Sequence, residues 1–199
     1  CSMLSYFPKY LKKVGVEPAS NINWNSVDKS IDIINDFFPS KKFTHNIKKK
    51  KVKIFTSCAM FYDLERPNLF VKSIKKNLDK EGVWCIQLSY VLLMIKNLNF
   101  YDICHEHLEY YSLKSLEYLM NKHGLEIIHA ETNNVNGGSA LVFIKHKTKQ
   151  NKKIKKYKNI YLKTFTSLNK TKNVEILNYL KEKNKIKRFK NKNILLVLF

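Results

Sequence analysis

The feature that most constrains this chain is the regular exchange of short apolar runs with stretches of about one helix length. Residues 14–16, 31–34, 52–57 and 83–88 are short and apolar, and Pro, Asn, Asp or Gly interrupts the chain near them. That is the pattern of strands buried on both faces. Between and after them, residues 41–50, 67–78 and 90–98 read as helices. Leu69, Phe70, Ile74 and Leu78 follow a helical spacing, with Pro67 in the first turn, where its missing N–H costs nothing. Residues 113–123 predict another helix, closed by Gly124 at its C-terminal cap. Residues 79–82 read as a turn. Residues 125–132 and 140–145 are strands joined through 133–139, a connection too short for a crossover helix, so this pair is expected to be antiparallel. The alternation predicts an α/β chain with a mainly parallel sheet.

The flanks are less regular. Met3, Leu4, Phe7, Tyr10 and Leu11 have a helical spacing, which predicts a helix within residues 1–13. Residues 147–158 form a basic linker, and a long helix is expected over 160–183. Residues 194–199 read as a lone strand with nothing left to pair with. The expected organisation is therefore a partial domain over 1–146, a linker over 147–158, and a helix and first strand of a further α/β domain over 159–199.

Composition bears on partners. Lys and Arg number 37 against 16 Asp and Glu, a net charge of +21 with a pI near 9.8. A nucleic-acid partner is the obvious reading of such an excess. The cations are nearly all Lys, however, and their clusters at 48–51, 147–158 and 183–192 flank elements instead of lining one face. Arg, the residue suited to bidentate base contacts, occurs only as Arg66 and Arg188. The charge is thus read as a solvated surface. No apolar run reaches the roughly 18–20 residues of a membrane span. Four cysteines without a CxxC pair read as free thiols, and a cytoplasmic setting is expected.

Several residues could carry chemistry. Glu17 ends an early strand, where an acid can accept both hydroxyls of a ribose or simply cap a turn. Asp36 repeats the arrangement on the next strand, facing an adenine amino group or starting the helix after Pro39. The segment 100–112 packs two imidazoles and six carboxylates or phenols into thirteen residues. Its His105-Glu106-His107 run suits acid–base work near neutral pH. It could also bind metal through His-x-His, or be a polar helix entry with solvated imidazoles. It lacks the HExxH spacing of zinc enzymes. Asn136-Gly137-Gly138-Ser139 could bring backbone amides to an anion or a sugar hydroxyl, or form a plain turn. Asp63, beyond the aromatics Phe61 and Tyr62, which are read as exposed, could line a cleft. Cys58 and Cys85 read as core residues.

These pieces, in this order, resemble the S-adenosylmethionine-dependent C-methyltransferases that act on nucleotide-linked deoxysugars. The matching runs are Val16-Glu17-Pro18-Ala19, Ile34-Asn35-Asp36-Phe37-Phe38, Met60 to Pro67, Ile103 to Ser112, and Asn136-Gly137-Gly138-Ser139. The resemblance covers roughly residues 1–145. It implies a Rossmann-like class I methyltransferase sheet and S-adenosylmethionine as cofactor. The implied substrate is a nucleotide-sugar or another small carbonyl compound; nucleic acid and membrane are not implied. Glu17 would hold the cofactor's ribose, Asp36 would lie near its adenine, and Ser57 would belong to the same cofactor set. His107 would remove a proton from the carbon beside a ketone, Glu106 would orient or share that proton, and His105 is the alternative base. Asp63, Tyr110, Gly137, Gly138 and Ser139 would seat the substrate.

Departures from the family pattern carry their own expectations. Cys104 stands where many relatives have Tyr, and Asp63 where the sugar enzymes often have His. The first strand and its Gly-rich loop are absent, as are the zinc-region cysteines. The chain is therefore expected to be an internal fragment or decayed product that binds the cofactor weakly or not at all by itself. Its sheet is expected to carry a vacancy between the strands at Val14 and Val52, with lowered stability. The competing readings are a non-catalytic methyltransferase-like remnant and a basic nucleic-acid-binding protein.

Overall fold

The computed structural model describes residues 2–48 and 50–148, and the backbone of residues 194–198. The linker beyond residue 148 and the helix expected at 160–183 lie outside these residues. Seven strands form one sheet: β1 (Lys12–Val16), β2 (Ile31–Ile34), β3 (Val52–Cys58), β4 (Leu78–Ser89), β5 (Leu125–Asn133), β6 (Ser139–His146) and β7 (Ile194–Leu198). Among the described residues, five α-helices accompany them: α1 (Ser2–Ser5), α2 (Lys41–Asn46), α3 (Pro67–Asn77), α4 (Val91–Asn97) and α5 (Leu113–Lys122).

The strand order is β2-β1-β7-β3-β4-β6-β5. β1, β2, β3, β4 and β7 run parallel, and β6 is antiparallel to both β4 and β5. The expected parallel strands and antiparallel final pair are thus as the alternation predicts. β4 begins earlier than expected. Val52 pairs with Leu78 and Ile54 with Val83, so residues 79–82 are an irregularity inside one long strand, where a turn between elements was expected.

The expected vacancy is not there. β7 lies between β1 and β3 and runs parallel to both, with Val14 opposite Leu196 and Leu196 opposite Phe55. Ile194–Leu198 is therefore not a strand without a partner, and the instability argued from an open position falls away. The reason is the backbone. Two parallel strands facing one gap present unpaired N–H and C=O groups, and a short apolar strand satisfies both ladders at once. Its distance along the chain is little obstacle, because loop-closure cost grows only logarithmically with length.

Two apolar layers enclose the sheet. On one face Phe43 of α2, Phe70, Val71 and Ile74 of α3, and Leu116 and Met120 of α5 pack on Val14, Phe55, Trp84 and Ile86. On the other, Met3, Leu4, Phe7 and Leu11 pack on Ile54, Val83, Cys85, Leu141 and Phe143. The helix expected over residues 1–13 is only the four-residue α1. Pro8 has no N–H to continue a helix, and Lys12 onward belongs to the ladder of β1.

Local chemistry sets the helix limits. Pro67 occupies the first turn of α3, and Lys75 and Lys76 sit in its last turn, where cations suit the helix dipole. Ser40, not Asp36, caps α2, accepting the N–H of Phe43. α5 opens with a reciprocal cap between Ser112 and Ser115 and closes before Gly124, which has φ +69°.

Candidate active site at the carboxyl ends of the strands

In an open parallel sheet the ligand site lies beyond the carboxyl ends of the strands. Here that rim runs from Glu17 and Asp36, after β1 and β2, to the segments that follow β3 and β4. Val16 pairs with Ile34, which brings Glu17 and Asp36 to the same edge. Glu17 is half-buried. Its N–H donates to the Ile34 carbonyl at 3.0 Å, and its Oε1 accepts the Ala19 N–H at 2.9 Å. Asn35 Nδ2 ties the two turns together by donating to the carbonyls of Glu17 and Ala19, both at 2.9 Å. Asp36 Oδ1 accepts the Phe37 N–H at 2.9 Å. Ser57 lies level with Val16, both opposite Leu198, but it is fully buried and its Oγ accepts the Trp84 indole N–H at 3.0 Å.

The other half of the rim is built around His107. The turn Phe100–Asp102 follows α4, and the chain then folds back over the short helix Phe61–Asp63 that follows β3. The Glu109 N–H donates to the Tyr62 carbonyl at 3.0 Å, and the Val91 N–H to the Tyr111 carbonyl at 3.2 Å. These bonds hold the loop 104–111 against the ends of β3 and β4. The His107 ring lies against Tyr62, with centroids 4.4 Å apart, and its Nδ1 is 2.8 Å from the Asp102 carbonyl oxygen. A carbonyl oxygen only accepts, so Nδ1 carries the hydrogen and Nε2 the basic lone pair. The Tyr110 hydroxyl donates to the same carbonyl at 3.4 Å.

Phe61 and Tyr62, read from the sequence as exposed, are buried. Phe61 stands edge-on to Trp84 at 5.6 Å and tilts against Tyr111 at 5.3 Å, so it wedges the loop onto the core. The Tyr62 phenol is hydrogen-bonded to Ser89 and pushed up to about 12, first by burial and then by the charge of Asp63. Asp63 is raised by burial, opposed by His107 and reinforced by Glu106. Asp102 is buried, and its Oδ2 has no hydrogen-bond partner. His105 and Glu106 face solvent, with side chains 92% and 75% exposed and 3.9 Å apart. They are the central residues of a turn closed by the His107 N–H donating to the Cys104 carbonyl at 3.2 Å, and His107, which follows the turn, lies against Tyr62. Among the described residues, no group of three His, Cys, Asp or Glu side chains could hold a metal ion.

The Asn136-Gly137-Gly138-Ser139 loop joins this half. Asn97 Nδ2 and Asn99 Nδ2 both donate to the Gly137 carbonyl at 2.7 Å. The Tyr90 N–H donates to the Gly138 carbonyl at 3.1 Å, and Ser139 Oγ donates to the Val135 carbonyl at 2.7 Å. These polar groups of the loop are spent on holding it in place. The sequence marks Tyr62 only as an exposed aromatic and gives no role to Asn99 or to the orphaned oxygen of Asp102. The crowding of titratable groups in 100–112 was a signal for Asp102, whereas Asn99 carried none.

No family model matches the chain. It is 28% identical over 131 residues to the C-methyltransferase NovU of Streptomyces niveus, a match that covers 65% of this chain and 31% of that protein. The chain thus spans about a third of the length of this curated relative. Among solved structures, a putative methyltransferase of Bacillus halodurans C-125 aligns with a TM-score of 0.54 at 11% identity, covering 69% of this chain and 84% of that one. A SAM-dependent methyltransferase of Thermotoga maritima, described as a possible histamine N-methyltransferase, aligns with a TM-score of 0.51 at 16% identity, covering 68% and 73%. The fold is the α/β Rossmann-like methyltransferase fold, with a mixed, mostly parallel sheet.

Proposed function

We propose that the chain is the methyl-transfer part of an S-adenosylmethionine-dependent C-methyltransferase whose acceptor is a nucleotide-linked keto-deoxysugar or a related small carbonyl compound. The observation that carries this reading is His107, its tautomer set by the Asp102 carbonyl, on the same sheet rim as Glu17 and Asp36. The similarity to a C-methyltransferase supports it.

The residues present suit the cofactor. Ribose hydroxyls and an adenine amino group are donors, and the carboxylates of Glu17 and Asp36 are acceptors on adjoining strand ends. Glu17 would hold the ribose and Asp36 the adenine edge. The cofactor, when bound, supplies an electrophilic methyl group on a sulfonium sulfur.

His107 acts as the base. Nε2 takes the proton from the carbon beside the acceptor's carbonyl, and the released electron pair delocalises into an enolate, the nucleophile that an electrophilic methyl group requires. The Asp102 carbonyl stabilises the imidazolium through the Nδ1–H bond. The Tyr62 ring holds the imidazole plane, and Tyr110 braces the same carbonyl.

Ligand-observed NMR registers even millimolar affinity for S-adenosylmethionine. Glu17→Ala is expected to weaken binding about tenfold, the worth of one charge-assisted hydrogen bond. Glu65→Ala, on the exposed turn before α3, is expected to leave it unchanged. No binding by the native chain, or equal binding by both variants, overturns the assignment.

A further inference from the structure

A second concavity opens beside His107. It has a volume of about 330 Å³ and lies between α4 and the turn Phe100–Asp102. Met94 and Ile95 form one wall and Phe100 and Ile103 the other, with Asn99 and Tyr110 as the polar members. Asn99 Nδ2 is engaged by the Gly137 carbonyl, and the Tyr110 hydroxyl by the Asp102 carbonyl. No Lys or Arg lines the cavity.

The rim is apolar and exposed. Ile95 is 66%, Phe100 71% and Ile103 67% accessible. Leaving three such side chains in water on one concave surface is costly unless something apolar fills it. The cavity is also joined to the candidate base. Tyr110 lines it, and the turn that forms its wall ends at Asp102, whose carbonyl holds His107 Nδ1.

We propose that this cavity binds an apolar, uncharged body of the carbonyl acceptor, of the size of one substituted ring. A pocket of a few hundred cubic ångströms with an apolar lining matches such a ligand. An anionic diphosphate does not fit it, because burying that charge without a cation carries a large desolvation cost. This rests on the carbonyl-acceptor reading above. It adds that the group seated beside His107 is recognised by hydrophobic contact instead of charge pairing.

The test is an amide-resolved NMR titration of the 199-residue chain with acetophenone and, separately, with uridine diphosphate. Acetophenone is expected to give saturable shifts confined to residues 91–103 and Tyr110. Ile95→Asp and Ile103→Asp, both on exposed side chains, are expected to weaken that binding at least tenfold without moving the thermal midpoint. Uridine diphosphate is expected to leave these amides unmoved. The proposal is overturned by shifts of the same amides with uridine diphosphate, by no saturable response to acetophenone, or by indifference to both substitutions. It is equally overturned if sedimentation shows a dimer that Ile95→Asp dissociates and acetophenone does not compete with, which would give this face to a second copy of the chain. A parallel titration with S-adenosylmethionine, read at residues 17 and 36, separates the two claims. An acetophenone response without a cofactor response sustains the cavity assignment and defeats the methyl-transfer reading.

Discussion

The two halves of the sheet rim are held together in different ways. At the β1–β2 end, Glu17 and Asp36 are positioned by short turns and by Asn35, whose bonds reach back 16 and 18 residues. At the β3–β4–β6 end, Asn97 and Asn99 reach 40 and 38 residues to Gly137, and Glu109 and Tyr111 dock on residues 62 and 91. The first half is the kind of site that hydroxyl-bearing ligands meet at a strand end, with acceptors on local turns. The second is a preorganised constellation in which the proposed base and the carbonyl that sets its tautomer share one loop, while Tyr62, which packs on the imidazole, comes from the segment after β3. Preorganisation matters most where charge changes during reaction, because groups already in place need not reorganise at that moment.

If the β3–β4–β6 half does the chemistry, substitution there affects rate, and substitution at the other half affects cofactor binding. The largest expected effect is on turnover. His107→Asn is expected to lower methyl transfer by about 10²–10⁴-fold, the usual worth of a general base, with S-adenosylmethionine binding nearly unchanged. His105→Asn, at a side chain 92% exposed, is expected to stay within a few-fold of native. If His105→Asn proves the damaging change in a kinetic assay, the comparison between the halves fails.

Next in size is the pinned loop. Gly137 has φ +73°, and a Cβ there meets Tyr101 Oη and Asn99 Nδ2. Gly137→Ala is expected to cost about 1–2 kcal/mol for the backbone conformation, and more for displacing Asn99. Urea denaturation reads the loss, and an unchanged midpoint would mean that the loop is not fastened.

The third effect is one of pH. The Tyr62 phenol titrates near 12 in the folded chain and near 10 when unfolded. The folded state keeps its proton longer, so this contribution is complete below pH 10 and is lost as pH rises toward 12. About 3 kcal/mol is expected to disappear across that window, and Tyr62→Phe should flatten the profile of denaturant midpoint against pH. Tyr111 is displaced in the same direction by burial, so part of the slope persists in that variant.

The smallest effect concerns Tyr111 itself. Its hydroxyl is buried and has no hydrogen-bond partner. Tyr111→Phe is expected to be neutral or slightly stabilising, within about 1 kcal/mol, because no bond is lost and a desolvated hydroxyl is removed. A marked loss of thermal stability would reveal a partner for that hydroxyl and would sharpen the account of how the loop is held.

What could be read from the residues alone is local. Periodicity located β2, β3, α3, α5 and the β5–β6 pair, because apolar spacing, Pro67 and Gly124 act within a turn or two of the chain. It failed where a neighbour in space decides the outcome. Phe61 and Tyr62 follow a strand and precede Asp63, which reads as a surface turn; packing of Phe70, Trp84 and Tyr111 on Phe61 buries it. The same holds at the site. His107 and Glu17 were visible as residue types beyond strands, whereas the Asp102 carbonyl, a backbone group, carries no sequence signal at all.

The order of the sheet shows where that boundary falls. The run Ile194–Leu198 reads as a strand from its own residues, being short and uniformly apolar. That it completes the centre of the sheet between β1 and β3 was decided by tertiary structure. A strand's own residues set its pleat and its apolar character, but its partners are chosen by backbone donors and acceptors left open on other segments. Those groups are identical at every position, and the entropy of closing the intervening chain changes slowly with its length.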